Sequence, residues 1–505
     1  MFRLKHRHLY VRWLFLRLLS ICFFSAFLSM AVQITGLFGS NGIIPLKTQL
    51  EMLSRSLGAT AVLNYPSIFF FNADDGFLQA ICYTGAFVSG LAFLGTFTAP
   101  CLALSWLLYL SIVSVGQDFM GFQWDSLLLE TGLLAVFFAP WSKREIAPFD
   151  RLRFESQNEV SLFFLFLLRL LCFKLMLLSG LCKLASQDET WRDLSALSYH
   201  YYTQPLPTPI AWFLQKLPSL IQRISTALVF VIELILPLSL LSFFRIARIF
   251  SATAFIVLML VIMLSGNYAF FNLLTIAVCL TLLDDRAVLT LMPRSFRLNH
   301  KVKPLNFRQS FSSTLRSSVA ALAIASVSIS CLCLCFIRDV ESLPFAMQLP
   351  LFLLQPIRSF NSYGLFAVMT RTRKEIIVEG SNDGKTWLAY EFRFKPGDIH
   401  RAPPIVAPHQ PRLDWQMWFA ALAPGERSLW FDSFMKKLLE GSPEVLSLLS
   451  KNPFPDKAPL EIRAKLYDYK FSDWNALLTR GQWWQRREES EYYPASSLED
   501  FRNSR

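Results

Sequence analysis

Long apolar runs fill the first two thirds of this 505-residue chain. Each run approaches the roughly 20 apolar residues that a helix needs to cross a hydrocarbon core about 30 Å thick. Hydropathy places spans at 13–32, 78–97, 99–116, 126–141, 160–183, 225–244, 247–265, 268–284 and 318–337. The third, fourth and eighth of these are short. The sequence therefore predicts a polytopic α-helical membrane bundle with about nine transmembrane helices.

The character of the chain changes after residue 337. Charged residues make up only 17% of the sequence, against about 25% in soluble proteins, and the deficit lies before Arg338. Alternating patterns beyond it predict strands at Tyr363–Met369, Glu375–Glu379, Trp387–Phe394 and Ala458–Tyr469, and helices at Asp414–Ala423 and Asp432–Leu439. We therefore expect a transmembrane domain at 1–337 and a β-rich, sandwich-like, water-facing domain at 338–505. This second domain contains no cysteine and must fold without disulfides.

The placement of basic residues predicts the orientation. With the N-terminus in the cytoplasm, seventeen Lys and Arg residues fall in cytoplasmic segments and five in the opposite loops, as the positive-inside rule requires. An odd number of spans then places the C-terminal domain outside the cytoplasm. The net charge of +12 follows from these short loops, so nucleic acid is not an expected partner, whereas membrane lipid is.

Unusual polar and aromatic residues concentrate in the predicted extracytoplasmic loops and in one run of the C-terminal domain. Hydrogen-bonding groups beside hydrocarbon are costly without partners, so they predict a structured polar cap over the bundle. Whether this cap also binds or reacts stays open at this stage. Its candidate residues are Gln123, Trp124, Asp125, Glu130, Trp191, His200, Tyr201, Gln204, Asn267, Tyr268, His409, Gln410, Arg412, Asp414 and Trp415.

Ionisable residues inside predicted spans are costly and normally face the bundle interior. Lys174 and Glu233 have similar predicted depths on consecutive spans, so we expect them to pair. Lys183 and Glu130 both lie near the outer face, where Lys183, if it is a structural cation, would pair with Glu130 or with lipid phosphate. A functional role and a role in holding helices together remain equally open for these residues.

The sequence predicts no metal or cofactor site. His409 and His400 lie close in sequence, but no further ligands accompany them at a suitable spacing. We therefore expect His409 to be a hydrogen-bonded loop anchor. Gly-rich phosphate loops, zincin motifs and nucleophile elbows do not occur in the sequence.

Several long strings resemble the lipase maturation factor family over nearly the full length. They are Gly36–Pro45, Phe122–Gly132, Trp191–Leu197 with His200–Pro207, Gly266–Asn272 and Pro408–Ala421. The animal members of that family are endoplasmic reticulum membrane proteins needed for secreted homodimeric lipases to fold and assemble. The resemblance implies a folding or assembly factor that works on the secretory side, with secreted or exported proteins as clients. It implies the endoplasmic reticulum membrane in a eukaryote and the cytoplasmic membrane in a bacterium. The absence of Asn-X-Ser/Thr sequons favours the prokaryotic branch.

A second resemblance covers only the membrane part. Lys174–Lys183, followed by Trp191, is similar to a helix-end segment of vitamin K-dependent carboxylase-like proteins. It implies a quinone-linked membrane enzyme with Lys183 as base, and with Glu130 and His200 as further catalytic candidates. We rank the non-enzymatic assembly factor first, this enzyme second, and a transporter or structural membrane component third.

Overall fold

The fold is described by a computed structural model that covers residues 8–141, 160–241, 244–291, 345–423 and 428–503. The helices of the membrane part are α1 (Leu9–Ala31), α2 (Ile34–Phe38), α3 (Leu46–Leu57), α4 (Ala61–Asn64), α5 (Asp75–Phe93), α6 (Thr98–Val115), α7 (Gln123–Phe138), α8 (Leu162–Ala185), α9 (Glu189–Arg192), α10 (Ala196–Thr203), α11 (Pro209–Gln215), α12 (Ser219–Phe230), α13 (Arg245–Ser265), α14 (Phe271–Leu280) and α15 (Asp285–Leu291). A π-helical turn at Val231–Ile235 and a 3-10 turn at Leu236–Leu241 continue α12.

Within the described residues, six helices are long and apolar enough to cross a membrane. They are α1, α5, α6, α8, α12 with its continuation to Leu240, and α13; α14 is a shorter apolar helix. The predicted count of about nine spans is not confirmed. The fourth predicted span corresponds to α7, which has only 16 residues, and the ninth, 318–337, lies outside the described residues.

The helices differ in how deeply they are enclosed by the protein. Two thirds of the apolar window of α1 is buried, whereas the windows of α12 and α13 are 17% and 28% buried. The helix α1 packs against α5 and α14, so it forms the centre of the bundle. The poorly enclosed faces of α12 and α13 carry aliphatic side chains, as lipid-facing helices do.

The four predicted extracytoplasmic loops lie at one end of the bundle, together with the C-terminal domain. Side chains or backbone groups from each of these connections hydrogen-bond to that domain, through Gln33, Phe119, Asp188 and Asn267. At the opposite end, the Asp285 carboxylate accepts the first N–H groups of α1. Arg358 contacts the carbonyl of Ser114 near the end of α6. Arg358 and Asp285 therefore lie at opposite ends of the bundle.

The C-terminal domain contains the strands β1 (Arg373–Ser381), β2 (Leu388–Ala389), β3 (Glu391–Phe392), β4 (Leu449–Lys451), β5 (Glu461–Phe471) and β6 (Trp484–Ser497). Its helices are α16 (Phe345–Leu354), α17 (Arg412–Leu422), α18 (Leu429–Leu439), α19 (Pro443–Leu446), α20 (Trp474–Arg480) and α21 (Leu498–Asn503). Four of the strands form an antiparallel sheet with the order β2-β1-β5-β6. The strands β3 and β4 form a separate pair, and α17 and α18 pack on the main sheet.

Several predicted elements of this domain need correction. The segment Tyr363–Met369 is not a strand, because its backbone and side-chain groups bond to the membrane part instead of to a neighbouring strand. The segment Trp387–Phe394 divides into β2 and β3, which belong to different sheets. The result is a four-stranded sheet with packed helices and a separate two-stranded pair, rather than a sandwich. The hairpin at 381–386 and the two predicted helices are present. The predicted boundary at 337/338 lies outside the described residues.

Candidate functional site

Arg412 and Asp125 form the centre of the contact between the two domains. Asp125 lies in the first turn of α7, and Arg412 begins α17. Two parallel hydrogen bonds join them, from Nη1 to Oδ2 at 2.8 Å and from Nη2 to Oδ1 at 2.9 Å. Nη1 also donates to the carbonyl of Phe119 at 2.6 Å, and the Tyr109 hydroxyl donates to Asp125. Both charged side chains are almost fully buried, and this bidentate geometry with further donors is what a buried ion pair requires.

His409 and Gln410 bond to the end of α1. Ser29 Oγ lies 2.9 Å from His409 Nδ1 and accepts the backbone N–H of Gln410 at 2.9 Å. Gln33 Nε2 donates to the Gln410 carbonyl at 2.8 Å, and the indole N–H of Trp124 donates to the Gln410 side chain. Burial, with the charge of Arg412 as a smaller cause, lowers the pKa of His409 to about 4. His409 is thus a neutral, hydrogen-bonded residue at the domain junction.

Aromatic rings fill the space around these polar contacts. Phe122 stacks on Trp124 with ring centroids 4.8 Å apart, and Trp415 meets Trp124 edge-on at 4.7 Å. Such pairs add about 0.5–1.5 kcal/mol each beyond the burial of their area. Trp415 belongs to the C-terminal domain, so this cluster extends the junction with apolar contacts.

Asn267 uses its whole amide to hold a loop of the C-terminal domain. Its Nδ2 donates to the carbonyl of Pro404 at 2.8 Å, and its Oδ1 accepts the N–H groups of Val406 and Ala407 at 2.7 and 3.0 Å. Gln123 does the same at Gly364, with one bond in each direction. At both positions a side-chain amide thus makes the backbone hydrogen bonds that a neighbouring strand would otherwise make.

The remaining cap residues form a second group around α10. Tyr268 donates its hydroxyl to Gln204 Oε1 at 2.7 Å and lies 3.2 Å from His200 Nε2. Because that hydroxyl proton is engaged, the His200 Nε2–H must donate to Tyr268, and Nδ1 carries the lone pair. Burial, with the charge of Lys183 as a smaller cause, lowers the pKa of His200 to about 4. His200 is therefore uncharged at neutral pH.

Trp191, Tyr201 and Asp414 complete the set of cap residues. The Trp191 indole N–H donates to the carbonyl of Phe366 at 3.1 Å. Tyr201 is buried in a small cluster beneath the C-terminal sheet. Asp414 accepts the N–H groups of Phe394 and Lys395 within its own domain. Asp414 thus bonds within its own domain, whereas most of the other cap residues make contacts across the junction. These are Gln123, Trp124, Asp125, Glu130, Trp191, His200, Gln204, Asn267, Tyr268, His409, Gln410, Arg412 and Trp415.

The two predicted ion pairs have exchanged partners. Lys174 pairs with Glu130, and Lys183 pairs with Glu233 at 2.6 Å. The prediction of a Lys174–Glu233 pair was wrong because Glu233 lies beside Lys183 at the end of α8 and not beside its middle. At 1.5 Å per residue, roughly 20 Å of helix separates Ser219 from Glu233, so the first turns of α12 extend beyond the end of α8 instead of starting level with it.

Each ion pair has further partners. The Tyr363 hydroxyl donates to Glu130 Oε2 at 2.6 Å. Lys183 Nζ donates to the carbonyl of Ser179 at 2.9 Å and lies 5.4 Å from the centre of the Trp191 ring. All four charged side chains are less than 9% exposed. Unpaired charges at such sites would be very costly.

Sequence reasoning missed a fourth buried charge cluster. Arg373 of β1 donates to the carbonyls of Tyr202 and Pro205 in the membrane part and pairs with Glu375, which also binds Lys395. A signal was present, because Arg373 and Glu375 occupy alternate positions of one strand face. Ser29, Gln33 and Tyr109 were also missed, since single polar residues in apolar spans carry no pattern.

A cavity of about 370 Å³ lies beside the junction, between α8, α10, α12, α13 and α14. Lys183, Trp191, His200, Glu233 and Tyr268 form one end of it, and aliphatic side chains form most of the remaining wall. Within the part of the chain that the structure describes, no group of three His, Cys, Asp or Glu side chains is arranged to hold a metal.

Comparison with known proteins identifies the family. Residues 10–290 match the lipase maturation factor transmembrane domain, and residues 359–494 match the lipase maturation factor C-terminal domain. Lipase maturation factor 2 of Xenopus tropicalis is 34% identical over 95% of this chain and 82% of its own length. The human lipase maturation factor 2 is 33% identical over 97% and 83%, and the Bos taurus lipase maturation factor 1 is 32% identical over 97% and 90%. The chain belongs to the lipase maturation factor family. No solved structure matches it.

The two domains of the family meet at the junction, and each domain supplies one side of it. Asp125, Trp124 and Asn267 lie in the matched transmembrane domain, and Gln410 and Arg412 lie in the matched C-terminal domain. In this chain the polar strings of the sequence thus join one family domain to the other.

The carboxylase-like alternative gains no support. The matching domains and the relatives named above are lipase maturation factors. Of its three catalytic candidates, Lys183 and His200 line the cavity, but Glu130 does not and is paired with Lys174. The prediction that Lys183 and Glu130 pair was wrong as well, since Glu233 takes that place.

Proposed function

We propose that this protein is a membrane-anchored maturation factor that supports the folding and assembly of exported proteins, with lipases as its clients. The observation that carries the proposal is membership of the lipase maturation factor family through both domains, covering almost the whole chain. The names of these relatives supply the client class. The protein acts without a cofactor, as an assembly factor rather than an enzyme.

The proposal includes a working face, by which we mean the end of the bundle at which the protein acts on its clients. The loops at 33–74, 116–122, 186–218 and 266–270 share one end of the bundle with the C-terminal domain. The positive-inside rule puts this end outside the cytoplasm. In a eukaryotic cell it faces the lumen of the endoplasmic reticulum, and in a bacterium it faces the space outside the cytoplasmic membrane.

Exposed apolar side chains on this end are candidate client contacts. Phe71 is 89% exposed, and Leu429 at the start of α18 is 88% exposed. A folding factor needs such surface, because unfinished clients expose apolar groups that bind it. A chain that binds clients only transiently requires small patches rather than one large interface.

The function is tested by co-expression with a secreted lipase in cells that lack their own lipase maturation factor. We expect the secreted lipase activity per lipase mass to rise with this chain. The double variant Phe71→Ser and Leu429→Ser should reduce the rise, whereas the matched variant Phe250→Ser, on the lipid-facing side of α13, should not. Wild-type protein that is abundant in the membrane and leaves lipase activity at baseline would contradict the proposal.

The orientation is tested separately with reporters. A reporter active only outside the cytoplasm should work when fused after residue 505, and one active only in the cytoplasm should work when inserted near Lys301. Reversed signals would reject the working face while leaving family membership intact.

A further inference from the structure

The cavity beside the junction has a polar end and an apolar body. Its polar end lies level with the end of α13 at Ser265 and contains Lys183 and Tyr268. Its body extends past Val261 to Val257, which lies roughly 12 Å from Ser265 at 1.5 Å per residue. A membrane lipid has the same arrangement at this depth, with ester groups at the interface and chains below them.

The mouth of the cavity opens toward the bilayer. Leu228 of α12 and Val257 and Val261 of α13 line the cavity and are each about half exposed, at 52%, 52% and 47%. The helices that carry them are also the least enclosed by protein among the six long apolar helices of the described chain. A ligand can therefore enter sideways from the hydrocarbon core without passing through water.

The size of the cavity argues against a peptide occupant. At about 370 Å³ it is in the range of small-molecule sites. A single flexible hydrocarbon chain is an occupant of that class.

The polar end selects an uncharged hydrogen-bond acceptor. Lys183 and Glu233 neutralise each other, and His200 is uncharged at neutral pH. An ammonium carries three N–H groups, and Lys183 donates to two acceptors among the described residues, the Ser179 carbonyl and Glu233. One N–H is left for an acceptor inside the cavity. An ester carbonyl fulfils this role without adding a charge.

We propose that this cavity binds one acyl chain of a bilayer glycerolipid, with the ester carbonyl at Lys183 and the chain between α12 and α13. The lipid would pack against the apolar side chains of the cavity, which otherwise have no contacts on that side. It would also close the gap between the helices beside the junction with the C-terminal domain. The site is independent of any client protein, so its test does not depend on the proposed function.

The test uses the full chain in lipid nanodiscs with a glycerophospholipid that carries a photoreactive group in one acyl chain. Mass spectrometry of the labelled protein should place crosslinks on the enclosed cavity residues Met176, Ile232 and Leu258. In Val261→Trp the new ring obstructs the mouth, and these crosslinks should be lost. The matched variant Leu260→Trp, which is on the same helix but outside the cavity wall, should keep them.

A second arm tests the polar end. An ether-linked analogue of the same lipid lacks the carbonyl and should label the cavity several-fold less than the ester lipid, while labelling the exposed Phe250 equally. Cavity crosslinks that persist in Val261→Trp, or that are absent from the wild type, would overturn the proposal. Equal labelling by ether and ester lipids would overturn the assignment of the carbonyl to Lys183.

Discussion

The exchanged ion pairs yield a quantitative prediction for Lys174. Its side chain is fully buried, and its partner Glu130 is 4% exposed, so solvent screens neither charge. Replacing Lys174 with Met leaves the Glu130 carboxylate buried with only the Tyr363 hydroxyl and the N–H of Asn361 as donors. Truncating one member of a buried pair costs about 3–5 kcal/mol. We expect a loss of that size in the free energy of unfolding.

A second substitution should recover most of this loss, but only at the correct partner. In the double variant Lys174→Met and Glu130→Gln, no charge remains, and the Gln carbonyl still accepts the Tyr363 hydroxyl. Replacing both members of a buried pair is often neutral or stabilising. The double variant Lys174→Met and Glu233→Gln should instead be worse than Lys174→Met alone, because it also leaves Lys183 without its carboxylate.

The measurement is an equilibrium unfolding titration in mixed detergent micelles, followed by tryptophan fluorescence. The coupling energy from the double-mutant cycle should be several kcal/mol for Lys174 with Glu130 and near zero for Lys174 with Glu233. Rescue by Glu233→Gln as large as that by Glu130→Gln, or a loss below about 1 kcal/mol in Lys174→Met, would refute the assignment of partners.

Three further predictions concern the junction and its surroundings. Arg412→Lys keeps the charge but loses the planar fork, which leaves acceptors at Asp125 and Phe119 unpaired; unfolding titrations should show a loss of about 2 kcal/mol. Lys183→Arg should keep normal membrane abundance because it still pairs with Glu233, whereas Lys183→Ala should lower abundance on immunoblots. His409 has a pKa of about 4 in the folded protein and about 6.5 when unfolded, so the unfolded state takes up the proton first. Stability should therefore fall as the pH falls from 6.5 toward 4, and thermal unfolding of His409→Gln at pH 7 and pH 5 should show a smaller difference.

The sequence predicted the architecture in those parts of the chain where the hydropathy pattern is long. Apolar runs identify membrane helices regardless of their neighbours, because the backbone must satisfy its own hydrogen bonds in hydrocarbon. The hairpin at 381–386 was predictable from local chemistry, since Asp383 accepts the N–H groups of Lys385 and Thr386 within the turn. Both signals come from residues that are close together in the sequence, and a single sequence contains signals of this kind.

The missed elements depend on partners that are distant in sequence. The strand β6 has a charged run at 486–491 and a proline at 494, and most of its residues are exposed. Only its pairing with β5 makes it a strand. The segment Tyr363–Met369 has strand-like composition, but its hydrogen bonds go to Gln123 and Asp188 of the membrane part. The bonds of Tyr363–Met369 span more than a hundred residues of sequence, so they leave no local pattern to read.

The candidate site was predictable as a set of residues but not as a geometry. Nearly every cap residue lies at or beside the junction, yet the sequence could not show that Arg412 meets Asp125. The ion pairs show the same limit. Depth was counted from the end of each predicted span, but α12 begins well beyond the end of α8, so Glu233 lies level with Lys183 and not with Lys174. The offset between two helices depends on their packing, which residue counting does not give.

The polar residues of the junction also determine how the protein can work. Asp125 and Arg412 are almost fully buried, and Gln410 is held by donors from Gln33, just after α1, and from Trp124 of α7. Separating the domains would leave a carboxylate, a guanidinium and several amides to be rehydrated at the membrane surface, so the cost rises with every bond broken. The C-terminal domain is therefore not a module moving freely on a tether. The buried contacts of Asp125, Arg412 and Gln410 hold that domain at a fixed position relative to the bundle.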